Sequence, residues 1–65
     1  MNMSGFRIVP KMISLNRCAF AVVLRNGDCR VIATVDFPSD NQMNDNLEAA
    51  QEIANILKKR IRKSV

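Results

Sequence analysis

The sequence predicts an α+β domain in which a three-stranded antiparallel sheet packs against one C-terminal helix (β-β-β-α). Asn26-Gly27 lies between two apolar runs, an arrangement typical of a tight β-hairpin. From Leu47 to Ile61, apolar residues instead recur every three or four positions, which is the spacing of one helix face. With 65 residues, the chain has room for a single small domain, residues 1–65.

The hairpin turn predicts a detailed strand register. A two-residue type I′ turn, with positive φ at both positions, places Arg25 opposite Asp28. Because side chains alternate along a strand, the residues that follow in register share one apolar face, which is predicted to be the core face. These pairs are Leu24 with Cys29, Val22 with Val31, Phe20 with Ala33, and Cys18 with Val35.

The opposite face of this hairpin is predicted to be an interaction surface. It is aliphatic in its middle and charged at its ends, and a small sheet that exposes aliphatic groups is normally covered by another molecule. With only one helix in the chain, that cover is expected to be another copy or another protein. The residues assigned to this interaction face are Ala19, Ala21, Val23, Arg30, Ile32 and Thr34.

A further strand is predicted upstream, over residues 6–13. Pro10 cannot donate a ladder hydrogen bond, so this strand is expected either to lie at an edge of the sheet or to be broken at Pro10. Asn16-Arg17 is the predicted turn into the next strand. Mobile segments are expected at the N-terminus (residues 1–4), in the loop at residues 38–44, and in the tail (residues 64–65).

The helix is predicted to run from about Asn46 to Arg62. Asp45 and Glu48 have the spacing of a capping box, and the cations near the C-terminus suit the negative end of the helix dipole. The helix stripe and the sheet face together define a core. Its predicted members are Phe6, Ile8, Phe20, Val22, Leu24, Val31, Val35, Leu47, Ala50, Ile53, Ala54, Leu57 and Ile61.

The composition argues against catalysis. The chain has no histidine, which is the commonest general base at neutral pH, and its serines have no evident base partner. Glu48 and Glu52 lie one helical turn apart, but two carboxylates make a poor cation site. We therefore predict that the protein is not an enzyme and that it uses no metal, no cofactor and no small-molecule substrate.

The two cysteines are predicted to be reduced, small and buried. In the register above, Cys18 and Cys29 lie on the order of 20 Å apart, too far for a disulfide. No apolar run approaches the roughly 20 residues of a membrane-spanning helix, and the first residues lack a secretion signal. The expected location is the cytoplasm, with no membrane partner.

Two functions from different classes fit this sequence. The favoured one is a non-enzymatic interaction protein that forms a homodimer or binds a host protein, because the outer face is aliphatic. The alternative is nucleic-acid binding, because the net charge is +4 and the pI is about 9.7. The residues predicted for nucleic-acid contact are Arg17, Arg30, Lys58, Lys59, Arg62 and Lys63.

The start of the predicted helix also carries a family resemblance. Its sequence, Asn-Leu-Glu-Ala-Ala-Gln-Glu-Ile-Ala over residues 46–54, follows a hairpin and a polar loop. In this it resembles small phage and prophage accessory proteins. The resemblance implies a short accessory protein that acts on host machinery by binding, and it assigns no functional residues.

Overall fold

Three antiparallel strands precede one helix in the computed structural model, which describes residues 5–63. The elements are β1 (Arg7–Met12), β2 (Arg17–Val23), β3 (Cys29–Asp36) and α1 (Met43–Lys63). The sheet order is β1-β2-β3, so β1 and β3 form its two edges. The predicted β-β-β-α fold is confirmed. The mobile termini predicted at residues 1–4 and 64–65 lie outside the described residues.

The loop of the β2–β3 hairpin has three residues instead of the predicted two. The amide of Gly27 donates to the carbonyl of Leu24 at 3.0 Å, and the amide of Leu24 donates to the carbonyl of Asp28 at 2.8 Å. Gly27 has a φ of 96°, and no non-glycine residue among those described has a positive φ. The loop is therefore a type I turn followed by a left-handed glycine. The predicted type I′ turn was wrong because Asn26 keeps a negative φ.

The extra loop residue shifts the register of the hairpin by one position. Val23 pairs with Cys29 and Val22 pairs with Arg30, so the predicted partners of Leu24 and Val22 were wrong. A β-bulge then places Ile32 between two consecutive pairs and restores the predicted register further along. The remaining predicted pairs, Phe20 with Ala33 and Cys18 with Val35, are confirmed.

This shift exchanges the faces of the residues between the loop and the bulge. Val31, predicted in the core, pairs with Ala21 on the outer face and is 59% exposed. Arg30 and Ile32, predicted on the outer face, lie on the side that faces the helix. Arg30 is in register with the core-side Val22, and Ile32 lines a groove together with Val22.

A small core forms where α1 lies along β1 and the adjoining part of β2. Alanine occupies two of the buried helix positions, so the helix backbone lies close to the sheet. The buried apolar cluster consists of Phe6, Ile8, Cys18, Phe20, Ala50 and Ala54. Half-buried side chains surround it, namely Met12, Val22, Ala33, Val35, Phe37, Ile53, Leu57 and Ile61. Three predicted core residues are exposed instead: Leu24, Val31 and Leu47.

The helix begins earlier than predicted and is anchored by a buried polar side chain. Its first residue is Met43, which moves Asp45 inside the first turn, so the predicted capping box was misplaced. Asn46 is fully buried. Its Nδ2 donates to the carbonyl of Leu15 at 3.0 Å, and its Oδ1 accepts from the Nδ2 of Asn41 at 3.1 Å. The first turns of α1 are thereby fixed to the β1–β2 loop.

Candidate interaction surfaces

The helix-facing side of the sheet is only partly covered. A helix with its side chains is about 10–12 Å wide, whereas three strands span roughly 14 Å. Because α1 lies mainly against β1, it leaves the first half of β3 uncovered. On the helix-facing side, Arg30 and Ile32 are exposed in consequence, whereas Ala33 and Val35 are half-buried against the core.

An open groove marks the uncovered part, and we call it the β3 groove. Leu24 and Ile32 are its main apolar walls, with 43% and 41% of their surfaces exposed. The groove has a volume of about 500 Å³ and is continuous with the core through Val22. Its remaining lining residues are Asp28, Cys29 and Arg30. Protein interfaces combine an apolar centre with a polar rim, and the groove has side chains of both kinds.

The outer face of the sheet is a second, separate surface. Val9, Ala21 and Val31 are in register across the three strands and form an apolar row. Ala19, which is 8% exposed, lies between Lys11 and Thr34 in the register. The predicted interaction face is therefore divided between two sides. Ala19, Ala21, Val23 and Thr34 lie on the outer face, while Arg30 and Ile32 belong to the β3 groove.

One ion pair borders the outer face at the end that is remote from the β2–β3 loop. Arg17 Nε lies 2.6 Å from Asp36 Oδ1, and Arg17 Nη2 lies 3.3 Å from Asp36 Oδ2. The hydrogen bond to Asp36 raises the pKa of Arg17, and the hydrogen bond from Arg17 lowers the pKa of Asp36. Arg17 is thus engaged with a carboxylate and lies apart from the other predicted nucleic-acid contacts.

The opposite end of the molecule gathers cations from three segments. The ammonium of Lys58 lies 5.8 Å from the ring centroid of Phe6, so the C-terminal turns of α1 lie beside the start of β1. The side chain of Arg25, from the β2–β3 loop, lies against Gly5 at the same end. We call this region the basic end. It consists of Arg7, Arg25, Lys58, Lys59, Arg60, Arg62 and Lys63.

Sequence reasoning missed three members of the basic end, namely Arg7, Arg25 and Arg60. Arg7 and Arg25 are separated in sequence from the helix cations, and only the sheet topology places them at the same end. Together they help line a groove of about 450 Å³ with Phe6 and Val23. Of the six predicted nucleic-acid contacts, the four helix residues belong to the basic end. Arg17 lies at the opposite end of the sheet, and Arg30 lies near the same end but lines the β3 groove.

The cysteines occupy different environments. Cys18 is buried in the core, and burial raises the pKa of its thiol. Cys29 is exposed, which corrects the prediction that both are buried. Both are free thiols, as predicted. Within residues 5–63, no three His, Cys, Asp or Glu side chains come together as a metal-binding group.

No helix in residues 5–63 combines the length and the apolar character that crossing a membrane requires.

The chain matches no protein-family model, no curated protein and no solved structure. The resemblance to phage and prophage accessory proteins stays a prediction, as does the absence of enzymatic activity.

Proposed function

We propose that the protein is a non-enzymatic interaction module that self-associates as a homodimer through the β3 groove. The observation that carries this proposal is the lateral position of α1. The helix covers β1 and leaves Leu24 and Ile32 exposed beside the core. A chain of 65 residues buries a smaller fraction of its surface on folding than a larger domain does, so covering this groove would add stability that the monomer lacks.

Two features favour a second copy of the chain as the occupant. The groove carries one anion, Asp28, and one cation, Arg30. In a two-fold symmetric interface, if one residue contacts a second residue of the other copy, the reverse contact also forms. Arg30 of each copy can therefore face Asp28 of the other. In addition, β3 is an edge strand without proline, whereas the other edge strand, β1, contains Pro10. An exposed edge strand without proline, such as β3, can pair with a strand of another chain.

The test is sedimentation velocity on a matched pair of variants. Ile32→Glu places a charge in the β3 groove, and Val31→Glu places the same charge on the outer face of the same strand. Both positions are exposed, so both variants are expected to fold. We expect the wild type and Val31→Glu to sediment as dimers and Ile32→Glu as a monomer, because a buried unpaired charge is costly.

Either of two results would contradict the proposal. A wild-type chain that stays monomeric at the highest attainable concentration would show that the protein does not self-associate. If Val31→Glu is monomeric while Ile32→Glu remains a dimer, the interface lies on the outer face and not in the β3 groove. Circular dichroism of both variants verifies that neither result reflects unfolding.

A further inference from the structure

The basic end concentrates charge at one end of an elongated molecule. The molecule measures 43 Å along its longest axis. Five of the six acids lie away from the basic end, namely Asp36, Asp40, Asp45, Glu48 and Glu52. The sixth, Asp28, lies in the β2–β3 hairpin. Among residues 5–63, the seven cations of the basic end therefore have one side-chain carboxylate near them.

These cations have no carboxylate partner among the described residues. Within the described part of the chain, the pair of Arg17 and Asp36 is the sole salt bridge, and it lies at the other end of β2. Lys58 instead contacts the ring of Phe6, which holds its ammonium at the surface of the sheet end. Cations that are not neutralised internally are the ones that release counterions when they meet phosphates.

The last turns of α1 continue past the start of β1, with Ile61 still packed against the core. Five residues follow the contact between Lys58 and Phe6 within the helix. At 1.5 Å per residue, they extend it by roughly 7 Å. The helix dipole places about half a negative charge at this end, which the side-chain cations outweigh. These are Lys58, Lys59, Arg60, Arg62 and Lys63.

We propose that the basic end binds the phosphate backbone of duplex DNA, independently of self-association. Its cations lie on the helix end, the β1 start and the hairpin loop, outside the β3 groove. The major groove of B-DNA, about 12 Å wide, accommodates a helix of 10–12 Å diameter, whereas the deep, narrow major groove of duplex RNA does not. The contacts are to phosphates and do not read sequence.

Two other polyanionic partners fit less well. Single strands bind through stacking on exposed aromatic rings, but Phe6 and Phe20 are buried and Phe37 is half-buried. The chain has no tyrosine or tryptophan. Membrane-bound basic helices expose a broad apolar face. In α1, Leu57 and Ile61 instead pack against the core, and Ile56 is the exposed apolar residue in this part of the helix.

The test measures the fluorescence anisotropy of a labelled DNA duplex at several salt concentrations. The basic-end variant is Arg62→Gln/Lys63→Gln, and the matched control is Lys11→Gln/Arg17→Gln, which removes the same charge elsewhere. All four side chains are exposed. Each lost phosphate contact flattens the log–log salt dependence by about 0.9, so the first variant is expected to flatten it by about 1.8. The control is expected to leave the slope unchanged.

A third variant, Arg25→Gln, tests whether the loop belongs to the same surface. We expect it to flatten the slope by about 0.9, although Arg25 is far from the helix cations in sequence. Equal losses in the basic-end variant and in the control would overturn the proposal. So would the absence of salt-dependent binding to DNA, tighter binding to an RNA duplex, or binding to phosphatidylserine vesicles without binding to DNA.

Discussion

Asn46 offers a sharp test of how the helix is attached to the sheet. Its buried side chain makes two hydrogen bonds, at 3.0 Å to the carbonyl of Leu15 and at 3.1 Å from Asn41. Asn46→Ala removes both bonds and leaves the Leu15 carbonyl without this donor. A net hydrogen bond contributes about 1 kcal/mol, and a buried unsatisfied group costs about 1–3 kcal/mol. We therefore expect the free energy of unfolding to fall by about 2–3 kcal/mol.

That loss is large for this chain. At 0.05–0.15 kcal/mol per residue, the total stability of 65 residues is about 3–10 kcal/mol. A loss of 1 kcal/mol lowers the melting temperature of such a domain by roughly 4–8 °C, so the expected decrease is about 10–20 °C. Urea unfolding and thermal melts, both followed by circular dichroism, measure the two quantities at one fixed protein concentration.

Two further variants separate the hydrogen bonds from helix propensity. Asn55→Ala makes the same exchange at an exposed position of α1, and we expect it to be neutral or to stabilise by at most about 0.7 kcal/mol. Asn46→Asp keeps the acceptor but replaces the donor, so a carboxylate would face the Leu15 carbonyl. It is expected to destabilise at least as much as Asn46→Ala. If Asn46→Ala and Asn55→Ala behave alike, the anchoring role of Asn46 is refuted.

Three other outcomes follow from local geometry. Cys29 is exposed and Cys18 is buried with a raised thiol pKa. In the Ile32→Glu variant, whose β3 groove is expected to be uncovered, mass spectrometry should therefore find one rapid alkylation per chain, at Cys29, and rapid labelling of Cys18 would contradict the core. The pair of Arg17 and Asp36 lowers the pKa of Asp36, so its stabilisation is present above the ordinary aspartate pKa and is lost as the pH falls through the lowered value. The difference between wild type and Asp36→Asn in urea unfolding should therefore vanish in acid, and a difference that grows in acid would have the wrong sign. Gly27→Ala should lower the free energy of unfolding by about 1–2 kcal/mol, and Gly27→Asn should lower it less. The loss comes from the φ of 96°, because an added Cβ would meet no atom within 4 Å. Equal stability of Gly27→Ala and wild type would contradict the left-handed turn.

The elements of the fold were predictable because their signals are local. Asn26-Gly27 locates a hairpin whatever its loop type, and the apolar spacing of α1 identifies the helix and its inner face. The register was not predictable to the same extent. It depends on whether Asn26 adopts a positive φ, a difference of order 1–2 kcal/mol that the rest of the sheet decides. The bulge at Ile32 has no sequence signal, since an isoleucine there also suits a regular strand.

The candidate surfaces were harder to predict than the elements. The spacing of Ala50 and Ala54 shows which side of α1 faces the sheet, but it does not show which strands the helix covers. The β3 groove depends on that lateral position. The basic end depends on the topology that places Arg7 and Arg25 beside the helix cations. Sequence reasoning could identify the charges of α1, but it could not assemble them with residues of the sheet.

Self-association through the β3 groove is tested most directly by methyl NMR spectra over a dilution series. The methyl groups of Leu24 and Ile32 report on the groove, and those of Val9 and Val31 report on the outer face. We expect the resonances of Leu24 and Ile32 to shift on dilution while those of Val9 and Val31 stay constant. Shifts confined to Val9 and Val31, or no shift at any concentration, would contradict the account.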